Sequence, residues 1–212
     1  MPNHFSRDEE ETIIELMNIG VGRAAAALSR LAHDEVLLSV PKVDFVSIDQ
    51  AQAAFNQLLP KALAGVVQSF EGFINGRAAL VFPEERSLEL VKAVVGDELS
   101  ASEISELEQD TLAELGNILL NSCLATLGNL LHRDIRTSLP ETYSGTYQRM
   151  LDALHQQPHS MIMLVHIDFS LSSRALQGYL VFIIDLQSAQ TFHEALGAYL
   201  EQLLSGSAEH KS

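Results

Sequence analysis

One cysteine, Cys123, stands in 212 residues, so no internal disulfide is available, and its apolar setting marks a small buried hydrophobe rather than a redox centre. Basic residues are scarce: 13 Lys and Arg against 28 Asp and Glu leave a formal net charge of −15. Such a chain repels phosphodiester backbones and anionic lipid, so neither nucleic acid nor a membrane is an expected partner. No apolar run is long enough to span a bilayer, and Met1 to Glu11 is polar and acidic where a secretory signal is basic and then apolar. A cytoplasmic setting is expected. The eight histidines make no HExxH and no compact His/Cys cluster, and there is no Gly-rich phosphate loop and no GxSxG turn. No metal site or cofactor is expected in the chain itself. An acidic surface still suits a protein partner with basic groups around its active site.

What the chain does contain is a repeat. At an offset of 99 residues, as from Glu15 to Glu114, ETIIELMNIGVGRAAAALSRLAHDEVLLSVP lies over DTLAELGNILLNSCLATLGNLLHRDIRTSLP. Thr12 falls on Thr111, Asn18 on Asn117, Ile19 on Ile118, His33 on His132 and Pro41 on Pro140. Further on, Phe70 falls on Phe169, and Leu80, Val81 and Phe82 fall on Leu180, Val181 and Phe182 after a shift of one. Duplication predicts two pseudo-symmetric halves, about 1–99 and 100–212. Their junction, Gly96 to Ala101, is short and has no flexible Pro/Gly/Ser tract, so both are expected to share one core in a single domain, 1–212.

Each half opens with a long helix preceded by a reciprocal capping pattern, Ser6 with Glu9 and Ser100 with Glu103. Ile14, Met17, Val21, Ala24, Leu28 and Leu31 share one face of the first, and Ala113, Gly116, Leu120, Cys123, Leu127 and Leu130 one face of the second. These faces are expected to meet the core. His33 and His132 mark the helix ends, where a cation suits the dipole. Val36 to Ile48 and Met161 to Leu171 read as strands, Asn75-Gly76 as a hairpin turn, and 84–95, 146–155 and 188–204 as shorter helices. This order, written twice, predicts an α+β architecture with a largely antiparallel sheet.

A second stripe runs along each long helix: Glu11, Glu15, Asn18 and Gly22 in the first, Asp110, Glu114, Asn117 and Asn121 in the second. A solvated face explains acidic residues well enough. Asn is harder to explain, because its amide competes for backbone hydrogen bonds and lowers helix propensity. Its recurrence at one place in both helices points to use. Gly20 and Gly22 serve either packing or the close approach of a partner. Pro41 and Pro140 lie beyond the helices and read as structural, setting how the chain enters the sheet.

Glu15, Asn18 and Pro41, and then Asp110, Glu114, Asn117 and Pro140, resemble the signature of the CheC, CheX and FliY phosphatases of chemotaxis. That signature is Asp or Ser, three residues, Glu, two residues, Asn, and twenty-two residues before Pro. The second copy, beginning DTLAELGN, fits throughout; the first has Glu11 at the leading position, which leaves the strength of that site open. NIGVGRAAAALS, from Asn18 to Ser29, also resembles the first-helix segment of CheC, and the resemblance covers nearly the whole chain, above all as a stand-alone, two-site CheC. It implies two αβ repeats around a shared antiparallel sheet with two long helices, and a phosphorylated CheY-type response regulator as substrate. Asn117 and Asn18 would orient the attacking water, Glu114 and Glu15 would dock a lysine beside the regulator's phosphate, and Asp110 and Glu11 would assist. Magnesium, where needed, would sit in the regulator's own acidic pocket. The competing expectation is a module that holds a regulator, or a CheD-type deamidase, without catalysis.

Overall fold

The structure, a computed structural model, describes residues 5–47, 50, 53, 55–57, 59, 61–96, 100–154, 161–171 and 174–209. Helix α1, Arg7–Ala32, starts where its capping box requires: the Glu9 N–H donates to Ser6 Oγ (3.3 Å), and the Ser6 N–H donates to Glu9 Oε2 (2.7 Å). The box recurs before the second long helix, Ala101–Leu130, which is α3 in chain order; the Glu103 N–H donates to Ser100 Oγ (3.4 Å) and the Ser100 N–H to Glu103 Oε2 (2.8 Å). The Ser100 hydroxyl, which donates to Glu103 Oε2 (2.6 Å), and then the Ser100 N–H hold the Glu103 carboxyl below its usual range. A histidine in left-handed geometry follows each helix, His33 at the cap of α1 and His132 one residue beyond the Leu131 cap of the second, each with φ of 53°. The helix ends are where the sequence puts them, but a backbone turn makes them, which a bare dipole argument misses.

Strands β1 (Val36–Ser47), β2 (Ala62–Gly72), β3 (Gly76–Pro83), β4 (Ile135–Thr137), β5 (Glu141–Thr146), β6 (Met161–Leu171) and β7 (Arg174–Ile184) form one sheet. Its order is β1-β6-β7-β3-β2, with β4 and β5 both on the outer edge of β2, and every pairing is antiparallel. The expected α+β repeat is therefore present, with an exchange built in. The strand after each long helix pairs with the other half: β1 with β6, and β4 with β5 on β2. Register slips in β1 between Ser39 and Lys42, and at the same place in the other half the chain breaks into β4 and β5. Pro41 and Pro140 sit at these irregularities, where a residue without an N–H does least harm.

Helices α1, α2 (Glu84–Val95), α3 and α5 (Leu186–Glu209) cover one face of the sheet. The other carries a smaller apolar cluster, including Phe55, Leu59, Leu63, Val181 and Ile183, under α4 (Tyr147–Leu154). Covering on both faces explains the continuous apolar runs in β3 and β7. Val21, Ala24 and Leu28 of α1 and Leu120, Cys123 and Leu127 of α3 are buried as expected, whereas Leu31, the last residue of its stripe, is 39% exposed. Burial pushes the Cys123 thiol up to about 12, which suits a packing residue. The Asn75-Gly76 hairpin exists, but its connection is Phe73 to Asn75, and Gly76 already belongs to the strand. A carbon added there would lie 2.2 Å from the Ile183 carbonyl oxygen. Expected elements at 84–95 and 161–171 match, α5 runs past residue 204, and Ile48 and His155 lie outside the described residues. Strand β5, polar on an exposed edge, was not foreseen. Among the described residues no helix is long and apolar enough to cross a membrane.

The two left-handed histidines give a direct stability test. Because a side chain in that geometry is disfavoured by about 1–2 kcal/mol and glycine is not, His33→Gly and His132→Gly should each raise stability by about 0.5–1 kcal/mol, after glycine's entropy cost. Urea unfolding midpoints measure this; a lower midpoint for both would refute it.

Candidate functional site

The two long helices lie side by side at Gly20, where an added carbon would come within 2.9 Å of the Cys123 Cα. This contact decides which sides of α1 and α3 are left over. Glu11, Glu15 and Gly22 are exposed and Asn18 is half-buried; Asp110 and Glu114 are exposed, and Asn117 and Asn121 are half-buried. Both stripes thus run along the surface. The two glycines divide the roles left open for them: Gly20 is packing, while nothing lies within 4 Å of a carbon added at Gly22. Glu11 is engaged by Arg7, whose Nε lies 2.8 Å from its carboxylate, and that partner raises the guanidinium's proton affinity.

The two asparagines are held differently. In the first repeat the Val40 N–H donates to Asn18 Oδ1 (2.9 Å) and Asn18 Nδ2 donates to the Val40 carbonyl (3.4 Å). The amide is used on both sides, clipped to the strand where the register slip frees Val40 from β6. This supplies a structural reason for the long Asn-to-Pro spacing: Asn18 reaches the residue just before Pro41. Val40 is 3% exposed.

In the second repeat the residue before proline, Leu139, is 85% exposed, and no bond joins it to Asn117 among the described residues. Instead Asn117 Oδ1 accepts from Asn121 Nδ2 (2.7 Å), Asn121 Oδ1 accepts from Gln68 Nε2 (3.3 Å), and Gln68 Nε2 also donates to the Ser138 carbonyl (2.5 Å). Ser138 is itself fixed, its N–H donating to the Ser69 carbonyl (2.9 Å) and its Oγ accepting from the Ser69 N–H (3.0 Å). Among the described residues nothing accepts from Asn117 Nδ2, so the NH2 side of this amide faces outward.

Gln68 was missed in the sequence. Its signal was there: one amide inside the apolar run ALAGVVQSF, at a position 1% exposed. A cavity of about 410 Å³ opens nearby between α2, the first turns of α3 and β5, with Glu84, Ser87, Glu108 and Ser144 on its wall. The Ser87 hydroxyl donates to Glu108 (2.5 Å) and that of Ser144 to Glu84 (2.9 Å), so its polar groups are largely paired with one another. Neither Glu114 nor Asn117 lines it. Among the described residues no group of three or more His, Cys, Asp or Glu side chains is placed to hold a metal ion.

A family model, chemotaxis phosphatase CheX, matches residues 64–164, a span containing Gln68, the whole α3 stripe and Pro140. The chain is also similar to the CheY-P phosphatase CheC of Bacillus subtilis (strain 168), 22% identical over 206 residues, covering 93% of this chain and 98% of the relative. Both matches point to the CheC, CheX and FliY group of chemotaxis phosphatases, to which this chain is similar. Solved structures agree on the fold. FliY of Thermotoga maritima has a TM-score of 0.72 at 20% identity, over 92% of this chain and 98% of its own. CheX of Borrelia burgdorferi, solved in complex with CheY, BeF3 and magnesium, has a TM-score of 0.51 at 16% identity, over 81% of this chain and 99% of its own. Within this CheC-like fold the family model lands on the second stripe and leaves α1 outside its span.

The unequal anchoring of the asparagines should register in stability. Asn18→Ala strips both backbone groups of a buried strand residue of their partner and should cost about 1–3 kcal/mol. Asn117→Ala removes one bond between half-buried side chains and should cost no more than about 0.5–1 kcal/mol. Denaturant unfolding of the two variants checks this, and equal losses would contradict the assignment.

Proposed function

We propose that this chain hydrolyses the aspartyl phosphate of a CheY-type response regulator, chiefly through the second repeat, with Asn117 orienting the attacking water and Glu114 docking the regulator. The observation that carries the reading is the exposed stripe of α3, on which Asn117 presents an amide anchored behind and open in front. The name of the Bacillus subtilis relative and the Borrelia burgdorferi complex support a CheY-type partner.

The chemistry fits the side chains. An aspartyl phosphate is an acyl phosphate with a good leaving group, so its hydrolysis needs an in-line water and neutralised charge more than a strong base. Asn117 Oδ1 uses one lone pair on Asn121 and keeps the other for a hydrogen of that water, while Nδ2 has hydrogens to offer a phosphoryl oxygen. The water oxygen bonds to phosphorus, the bond from phosphorus to the aspartyl oxygen breaks, the regulator's carboxylate leaves with the electron pair, and the water's proton passes to the released phosphate. Magnesium in the regulator's acidic pocket would neutralise phosphoryl charge. Glu114, one turn before Asn117 on the same exposed face, pairs with a lysine beside the phosphate, an interaction that gains strength as the complex excludes water. The net charge of −15 steers the chain toward that basic surround.

Asn18 and Glu15 form the lesser site. To orient water, Asn18 must first release Val40, and a cost of about 1–3 kcal/mol lowers its rate by roughly tenfold or more. Phosphate release from phosphorylated regulator should therefore fall at least tenfold in Asn117→Ala, keep more than half its rate in Asn18→Ala, and vanish in the double variant. Release that is unchanged in all three would make the protein a module that holds the regulator without hydrolysing it.

A further inference from the structure

We infer that Gln68 and Asn121, neither of them part of the family signature, are positioning residues that dictate which way the Asn117 amide points. The inference deepens the proposed phosphatase reading and rests on it. Its ground is a chain of forced choices. The Ser138 carbonyl only accepts, so the Gln68 atom 2.5 Å from it is the nitrogen. That nitrogen also lies 3.3 Å from Asn121, which must turn its oxygen toward it. The other end of the Asn121 amide is then its NH2, and it donates to Asn117 at 2.7 Å, which leaves the Asn117 oxygen inward and its NH2 outward. The orientation of the surface amide is thus relayed from one backbone carbonyl.

Two further observations set this relay apart from ordinary packing. Gln68 is 1% exposed and its Oε1 is buried without a partner among the described residues, a cost that an apolar residue in the same strand would avoid. The counterparts at the offset of 99, Ile167 for Gln68 and Gly22 for Asn121, carry no amide at all, and beside them Asn18 is bonded to Val40 instead. The fold itself therefore gets by without a buried glutamine at this point. Gln68 sits where the open site is, and it is fixed to Ser138, the residue that precedes exposed Leu139.

The test uses Asn121→Leu, near-isosteric and at home in a helix, and Gln68→Met, which keeps volume and removes the donor. Phosphate release is followed against regulator concentration, and the side-chain amide signals of Asn117 are followed by nuclear magnetic resonance. Both variants should lose about tenfold in kcat while the half-saturating regulator concentration changes less than twofold, and the Asn117 NH2 signals should shift and broaden. Asn121→Gln, which retains donor and acceptor, should recover part of the rate. An unchanged kcat in Asn121→Leu, with the wild type active, would overturn the relay; so would Asn117 amide signals that do not move. If the wild type releases no phosphate, the phosphatase reading fails, and the amide signals alone decide whether Gln68 and Asn121 orient Asn117.

Discussion

Helices α1 and α3 touch so closely at Gly20 and Cys123 that one added carbon would fall 2.9 Å from a Cα. At that separation neither helix can rotate about its axis without a clash, so the buried and solvent-facing stripes are set together. Cys123 is small, apolar and fully buried, and serves this contact better than a larger residue would. The exchanged strands strengthen the arrangement, because the chain leaving each helix is sewn into the other half of the sheet through β1 on β6 and through β4 and β5 on β2. The acidic and amide side chains are carried on rods whose orientation the core controls, which is the footing a positioning group needs.

The two halves carry two such rods, and small differences separate them. In the first repeat the residue before proline turns inward as Val40 and takes both ends of the Asn18 amide. In the second it turns outward as Leu139, and the amide is steadied from behind by Asn121. The glycine that stands at position 22 has no amide to offer, and the isoleucine at 167 has no donor. One plan has thus produced a clamp in one place and an open amide in the other. The family fold is compatible with either outcome, since a fold alone does not settle what a site does.

Much of this was legible in the residues. Ser6 with Glu9 and Ser100 with Glu103 located both helix starts, because a capping box is a local interaction whose two partners lie three residues apart. The β-branched and aromatic runs gave β6 its bounds, and the two stripes followed from helical periodicity. Strand β5 escaped notice because Glu141, Thr142 and Ser144 face solvent on an edge and show no apolar alternation. Leu31 was misjudged because periodicity does not say where a core ends. The partners of the asparagines were out of reach for another reason: Asn18 to Val40 spans 22 residues and Gln68 to Asn121 spans 53, and only tertiary structure brings such pairs together.

The central claim is that the amide on α3, ahead of the one on α1, meets the phosphorylated aspartate. A crystal structure of the chain bound to a response regulator carrying a beryllium fluoride phosphoryl mimic tests it most directly. The account predicts Asn117 in contact with the mimic, Leu139 covered by the regulator, and Asn18 still bonded to Val40. A regulator seated on α1, with Asn18 detached from Val40 and Asn117 left in solvent, would contradict it.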